Sequence, residues 1–184
     1  MGSSFHKLDS KIQEAVWELG WERLRPLQAE AIIAILEQDK HLILSAATAS
    51  GKTEAAFLPI LSRIAAAPKD SIQALYVSPL VALINDQFGR LEQLCLKAEI
   101  PFHRRYGGVL ESERRRMINR PSGVLLITPE SLEAMFIRRG RELRRIFSGL
   151  EFVVSCTLSW TRCEGFTWPA CSNALRARAA SINA

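Results

Sequence analysis

Short apolar runs alternate with longer segments of helical periodicity along most of this chain. Strands are predicted at residues 41–46, 71–79, 101–108, 123–129 and from 150 onward. Most of these segments are short apolar runs, whereas 101–108, PFHRRYGG, is interpreted as a strand because it continues the alternation with helices. Helical spacing of apolar residues follows or precedes each run, at 11–19, 26–38, 52–67, 81–99, 111–120, 131–139 and 141–147. Apolar strands separated by helices are typical of a parallel sheet covered on both faces. The pattern therefore predicts an α/β, doubly wound domain.

The alternation stops near Ser155. Residues 155–184 have neither helical nor strand periodicity over most of their length, although they contain three of the four cysteines and two of the four tryptophans. We therefore divide the chain into a patterned domain, residues 1–154, and an unpatterned tail, residues 155–184. The fold is expected to be incomplete at its C-terminal end.

The composition is that of an ordinary globular protein, with 48% hydrophobic and 23% charged residues in 184. The chain has no apolar run of the roughly 20 residues that a membrane span needs, and residues 1–10 lack the apolar core of a signal peptide. A cytoplasmic location without membrane contact is expected. The cysteine spacings favour neither a disulfide framework nor a zinc site.

Positive charge is concentrated in one part of the chain. The net charge is +5, but the segment from Arg104 to Arg145 has eleven arginines against five acidic residues. An anionic partner and a solvated face are both consistent with this pattern.

A phosphate-binding loop is predicted at Ala46–Thr53, where the strand at 41–46 is followed by the helix at 52–67. Backbone amides of a tight loop and the positive end of the next helix together bind polyphosphate. The expected contributors are Thr48, Ala49, Ser50, Gly51, Lys52 and Thr53. Lys52 would place its charge at the β and γ phosphates, and Thr53 would bind Mg²⁺ through its hydroxyl.

The loop and its flanks, AATASGKTEAAFLPIL, resemble motif I of superfamily-two helicases of the DEAD/DEAH type, and most closely the Lhr-like helicases. GWERLRPLQAEAI resembles the upstream Q motif, VSPLVALINDQ motif Ia, RYGG the glycine doublet and ITPESL motif Ib. The resemblance implies a RecA-like P-loop domain that binds ATP and Mg²⁺, with Gln28 reading the adenine edge.

The same resemblance implies a face that binds a DNA or RNA single strand through its backbone. It assigns six residues to that face: Pro79, Leu80, Gly107, Gly108, Thr128 and Pro129. Each also has an ordinary structural interpretation, such as a strand end, a turn or, for Thr128, the cap of the helix that starts near Ser131. The occurrence of four such segments in order favours the nucleic-acid face.

The resemblance ends at Val154, where motif II should supply the Asp and Glu that hold Mg²⁺ and orient the attacking water. Cys156 and Thr157 stand at those positions, so we expect no intact catalytic pair. Either a frameshift near codon 155 or a genuinely divergent tail explains the change.

Three hypotheses follow for the function. The chain is the truncated first lobe of an ATP-dependent helicase that does not hydrolyse ATP alone, a non-enzymatic nucleotide- or nucleic-acid-binding fragment, or an unstable pseudogene product.

Overall fold

The computed structural model describes residues 2–38, 42–47, 50–78, 81–157 and 178–183, with the backbone alone at 81–88, 156–157 and 178–183. After a short 3-10 helix at Phe5–Lys7 and two consecutive helices, strand and helix alternate until the last two described strands, which follow each other. The helices are α1 (Ser10–Glu18), α2 (Pro26–Glu37), α3 (Lys52–Ala66), α4 (Val81–Lys97), α5 (Glu111–Asn119) and α6 (Pro129–Ile146). The strands are β1 (Leu42–Ser45), β2 (Ile72–Val77), β3 (Phe102–Arg105), β4 (Gly123–Ile127), β5 (Phe152–Thr157) and β6 (Arg178–Asn183).

The described strands form one sheet in the order β1-β6-β5-β2-β4-β3, and every pairing is parallel. The prediction of a parallel α/β sheet is therefore confirmed. Because the strands are parallel, their carboxyl ends share one edge. Ligands of open α/β sheets bind at that edge, which is where β1 leads into the phosphate loop.

Helices cover both faces of the sheet. Successive residues of a strand point to opposite faces, and each face packs against its own apolar cluster of helix residues. On β2, Ala74 and Tyr76 pack with helices α1 to α4. Leu75 and Val77 pack instead with α5 and α6. The strand is buried at all six positions, which explains why its sequence has no polar alternation.

Helix α6 joins the two helices predicted at 131–139 and 141–147. Thr128 caps its start by accepting a hydrogen bond from the backbone N–H of Ser131 at 3.4 Å, and Pro129 occupies the first turn. The backbone departs from helical geometry at Arg139, with φ −136° and ψ 28°, so the break predicted between the two helices survives as a kink. No helix in the described part of the chain is long and apolar enough to cross a membrane.

The sheet extends into the segment that the sequence predicts to be unpatterned. Strand β5 continues to Thr157, and β6 lies between β1 and β5, where Ala180 is opposite both Leu42 and Val154. A strand can form backbone hydrogen bonds with the strands on both sides even when its apolar and polar side chains do not alternate along the sequence. The division of the chain at residue 155 stays a prediction, and the structure adds strand pairing at residues 155–157 and 178–183 of the predicted tail.

Candidate nucleotide and nucleic-acid site

Gly51 shapes the turn between the phosphate loop and α3. Its backbone is left-handed, with φ 81° and ψ 30°, a conformation that side chains other than glycine adopt at a cost. Gly51 is also the N-cap of α3 and provides no side-chain cap. The first amides of α3 are therefore available to an anion, as a phosphate-binding loop requires.

Lys52 turns back over the loop. Its side chain is only 9% exposed, and Nζ donates hydrogen bonds to the carbonyl oxygens of Ala46 at 2.6 Å and Ala47 at 3.1 Å. An ammonium group has three donors, so two loop carbonyls do not exhaust its capacity. The loop therefore holds a positive charge beside the uncapped end of α3.

Ser50 contributes a polar atom that the described residues do not satisfy. Its Oγ is buried and has no hydrogen-bond partner among the described residues. A buried hydroxyl normally has a partner, and in a phosphate loop a nucleotide oxygen provides one. Ser50, Gly51 and Lys52 thus agree with the predicted site.

Gln28, on α2, lies against the loop from the other side. A Cβ placed on Gly51 would be 2.9 Å from Gln28 Nε2 and 3.5 Å from Arg25 Cδ. Gln28 Oε1 accepts a hydrogen bond from the backbone N–H of Arg25 at 2.9 Å, which fixes the amide at the start of α2. The structure therefore brings Gln28 to the phosphate loop, as its assignment to an adenine-reading role requires.

Glu54 connects α3 to α4. It follows Thr53, its side chain is 19% exposed, and its carboxylate lies 3.9 Å from the guanidinium of Arg90 on α4. Thr53 is half-buried in the first turn of α3, and its role as a magnesium ligand stays a prediction. Thr48 and Ala49 lie outside the described residues.

The second group of predicted residues lies at the same sheet edge. Gly107 and Gly108 are exposed in the turn after β3, and Thr128 and Pro129 follow β4, which pairs with β3. Gly108 has φ 94°, which explains its glycine. Thr128 does cap α6, so its structural interpretation holds. Pro79 and Leu80 lie outside the described residues.

The two positions at which the resemblance predicts the acidic motif are also at this edge. Cys156 and Thr157 end β5 and are opposite Ile182 and Asn183 of β6. On its other side β6 pairs with β1, with Asn183 opposite Ser45 just before the loop. The backbone of Cys156 and Thr157 therefore lies two strands from the phosphate loop, about 10 Å at the usual strand spacing.

Sequence reasoning missed several contributors to the site. The carbonyls of Ala46 and Ala47 hold Lys52, Arg25 packs beside Gly51, and Arg90 approaches Glu54. Contacts made by backbone carbonyls or by residues distant in sequence produce no recognisable motif. Of these residues, only Arg25 could have been found from the sequence, because it lies three residues before Gln28 at the start of a predicted helix.

The fold and the loop define a RecA-like P-loop domain. The model of the DEAD/DEAH box helicase family matches residues 25–155. This chain belongs to the DEAD/DEAH box helicase family.

Several curated relatives carry the name Lhr. The chain is 40% identical over 132 residues to the "Lhr helicase/ probable uracil glycosylase" of Mycolicibacterium smegmatis, a match of 64% of this chain and 9% of that protein. It is 30% identical over 135 residues to the ATP-dependent helicase Lhr-Core of Methanothermobacter thermautotrophicus, which covers 65% of this chain and 15% of the relative. The chain thus spans a small part of the relatives that it matches.

Solved structures agree on the fold. The Mycobacterium smegmatis helicase Lhr bound to ssDNA and AMP-PNP has a TM-score of 0.72 and 25% identity, over 98% of this chain and 25% of that one. The helicase Mss116p bound to ssRNA and AMP-PNP has a TM-score of 0.79 and 18% identity, over 96% of this chain and 38% of that one.

Proposed function

We propose that this chain binds ATP with Mg²⁺, and a nucleic-acid strand, as the first lobe of an ATP-dependent helicase, without hydrolysing ATP by itself. The observation that carries the proposal is the position of Lys52. Its ammonium group is held by two loop carbonyls beside the uncapped start of α3. The charged oxygens of a polyphosphate are stronger hydrogen-bond acceptors for this ammonium group than neutral carbonyl oxygens are.

The chain's own residues fit a nucleotide at three points. Ser50 Oγ lacks a partner in the described structure, Gly51 leaves the amides of α3 open, and Gln28 lies beside the loop. Lys52 would bind the β and γ phosphate oxygens, and the hydroxyl of Thr53 would bind Mg²⁺. Bound ATP supplies the phosphoryl group whose hydrolysis drives helicases of this family.

Adenine recognition is assigned to Gln28. Its Oε1 already accepts one hydrogen bond from Arg25, but an amide oxygen has two lone pairs. The second lone pair of Oε1 would accept from the adenine amino group, while Nε2 would donate to a ring nitrogen. Gln28 would therefore favour adenine over guanine.

The expected lack of hydrolysis rests on residues 156 and 157. Cys156 and Thr157 occupy the end of β5, close to the loop in the backbone register, where the family has Asp and Glu. A thiol and a hydroxyl do not replace two carboxylates as Mg²⁺ ligands or as the group that orients water. The same observation favours the alternative of a non-catalytic binding module.

Nucleic-acid binding is assigned to the carboxyl edge of the sheet, through Gly107, Gly108, Thr128 and Pro129. The family resemblance alone adds Pro79 and Leu80, which lie outside the described residues. Both glycines are exposed, and a Cβ at either would meet nothing within 4 Å. A strand backbone can therefore approach the main chain there. Contacts of this kind are independent of base sequence.

We test nucleotide binding with Lys52→Ala. A hydrogen bond to a charged group contributes about 1.5–3 kcal/mol, so ATP affinity should fall at least about tenfold in a calorimetric titration. Lys97→Ala, which removes an ion pair with Glu18 on the surface, is the matched control and should bind like the wild type. Equal affinity of both variants would disprove the loop assignment.

Hydrolysis is tested on the same protein. Phosphate release from ATP should stay at background with single-stranded DNA or RNA present. Turnover above background that Lys52→Ala abolishes would contradict the non-catalytic assignment.

The origin of the tail is tested on the gene. We propose that residues 155–184 are read in a shifted frame, since the family match ends at residue 155. Adding or removing one or two nucleotides near codon 155 should open a frame that encodes Asp-Glu-x-His. If no frame continues the family sequence, the tail is genuinely divergent.

A further inference from the structure

Arg105 ends β3 in a group of arginines. It is opposite Ile127 in the β3–β4 register and shares the sheet face on which Ile127 packs with α5 and α6. Arg114 of α5 and Arg138 and Arg139 of α6 act electrostatically on it. Four positive side chains thus converge at the carboxyl edge of the sheet, directly before the glycine turn.

Arg105 has no acidic partner within ion-pair distance among the described residues, and its Nη1 is buried without a hydrogen bond. The Nε of Arg114 is also buried and unpartnered in that part of the chain. The Nε of neighbouring Arg104 is buried without a partner there too, but Arg104 lies on the opposite face and its Nη2 forms an ion pair with Glu92 of α4. Buried guanidinium donors without acceptors are costly, so an acceptor at this place is expected.

The charge around Arg105 is unbalanced. Burial lowers its pKa from the usual range, the charges of Arg114 and Arg139 lower it further, and Glu111 acts in the opposite direction. The carboxylate of Glu111 already approaches Arg114 at 3.9 Å and Arg115 at 3.6 Å. Arg139 Nη1 also lies 3.2 Å from the carboxylate of Glu142, so neither carboxylate is within ion-pair distance of Arg105 itself. An external anion would offset the positive charge that remains around Arg105.

The chemistry of the group favours phosphoryl oxygens. A guanidinium presents a planar fork of donors that matches a phosphate in bidentate fashion. The adjacent main chain is open, because neither Gly107 nor Gly108 has an atom within 4 Å of where a Cβ would stand. Arg114 Nη2 donates to the carbonyl oxygen of Tyr106 at 2.9 Å, which holds its guanidinium beside the turn.

The anion is not the nucleotide of the phosphate loop. β1 and β3 are at opposite ends of the six-stranded order, about 24 Å apart at five strand spacings. The arginine group lies next to Thr128, which follows the residue opposite Arg105. It therefore belongs with the proposed strand-binding edge.

We propose that Arg105, supported by Arg114 and Arg139, binds a backbone phosphate of the nucleic-acid strand. This inference rests on the proposed nucleic-acid function and adds to it a discrete phosphate site built from side chains. The site makes affinity depend on one half-buried guanidinium, whose Nη1 is buried, more than on the surface arginines.

The test compares Arg105→Gln with Arg144→Gln in the full chain. Arg144 is exposed near the end of α6. Both variants therefore lose one positive charge, but only Arg105→Gln removes the proposed phosphate site. Binding of a fluorescein-labelled single-stranded oligonucleotide, as DNA and as RNA, is measured by anisotropy over a range of salt concentrations. Arg105→Gln should weaken binding about ten- to hundredfold and reduce the salt slope by about 0.7, while Arg144→Gln changes affinity less than about threefold.

Folding is followed by thermal unfolding, and Arg139→Gln serves as a second variant if Arg105→Gln unfolds. Equal oligonucleotide binding by the site variants and Arg144→Gln overturns the inference and leaves the proposed function intact. A wild type that binds no oligonucleotide overturns the nucleic-acid part of the proposed function.

A free anion is the other source of the same chemistry. Inorganic phosphate is therefore added to Lys52→Ala, in which the phosphate loop is disabled. Stabilisation by phosphate that Arg105→Gln removes, without oligonucleotide binding, would assign the site to a free anion and overturn the strand assignment.

Discussion

Gln28 and Gly51 are packed so closely that a Cβ on Gly51 would lie 2.9 Å from Nε2 of Gln28. One residue belongs to α2 and the other to the turn that opens α3. The contact joins the proposed base-reading side chain to the proposed phosphate-binding loop. A change at either residue should therefore affect nucleotide binding through the other.

Gly51→Ala should weaken ATP binding and destabilise the fold. A left-handed backbone costs a non-glycine residue about 1–2 kcal/mol, and the new methyl group would also displace Gln28. Gly140→Ala is the control, because a Cβ there meets nothing within 4 Å and φ is not left-handed. Calorimetric titration and urea unfolding measure the two effects. A Gly51→Ala protein as stable as Gly140→Ala would contradict the strain at Gly51.

Gln28→Glu should reduce the preference for ATP over GTP. In the wild type, the backbone N–H of Arg25 lies 2.9 Å from Oε1 of Gln28. The variant keeps this acceptor oxygen but loses the amide donor. Since one hydrogen bond contributes about 0.5–1.5 kcal/mol, the ATP/GTP affinity ratio should fall by about three- to tenfold. Gln13→Glu, on α1, controls for the added charge. An unchanged ratio would remove Gln28 from base recognition.

His103 should make stability fall in mild acid. Burial and, secondarily, the charge of Arg116 hold its pKa below the usual range, against a backbone hydrogen bond with Ser122 that raises it. The folded state therefore favours neutral imidazole. As pH falls below the unfolded pKa of about 6.5, the unfolded chain binds the proton first and the free energy of unfolding decreases.

His103→Gln should remove this contribution, which is at most about 1.4 kcal/mol per pH unit. Urea unfolding at a series of pH values below 7 measures the slope, with His6→Gln, at an exposed position, as the control for loss of a histidine. The assignment fails if both variants keep the slope of the wild type.

Cys95 should resist alkylation in the folded protein. It is fully buried, and burial, followed by the charge of Glu92, raises the pKa of its thiol. Thiolate is the reactive form, so iodoacetamide at neutral pH should leave the peptide containing Cys95 unmodified until urea is added. Peptide mapping by mass spectrometry provides the readout. Rapid labelling without urea would show that α4 opens locally.

Much of the fold was predictable because two central strands are buried on both faces. β2 and β4 are buried along their whole lengths, so their apolar runs were visible in the sequence. The phosphate loop was predictable because it is a local motif at a strand-helix junction. β6 was not, because its position depends on backbone pairing with β1 and β5 and leaves no side-chain pattern.

The candidate site was predictable in its local parts only. Lys52 and Gly51 belong to one short segment, whereas the contact between Gln28 and Gly51 joins residues that only the packing of α2 on α3 brings together. The surroundings of Arg105 likewise depend on tertiary packing, because β3, α5 and α6 each contribute at least one arginine. The arginine-rich composition was consistent with an anionic partner or a solvated face, and it did not distinguish half-buried Arg105 from exposed Arg144.

The place of β6 determines when the domain is completed during synthesis. β1 reaches the rest of the described sheet through β6, and Leu42 pairs with Ala180, 138 residues later in the chain. At about 5–20 residues per second, a ribosome takes roughly 7–28 s to cover that interval. During this time the nascent β1 has an unpaired edge, which is a template for aggregation. Chaperone dependence during translation is therefore expected for this chain.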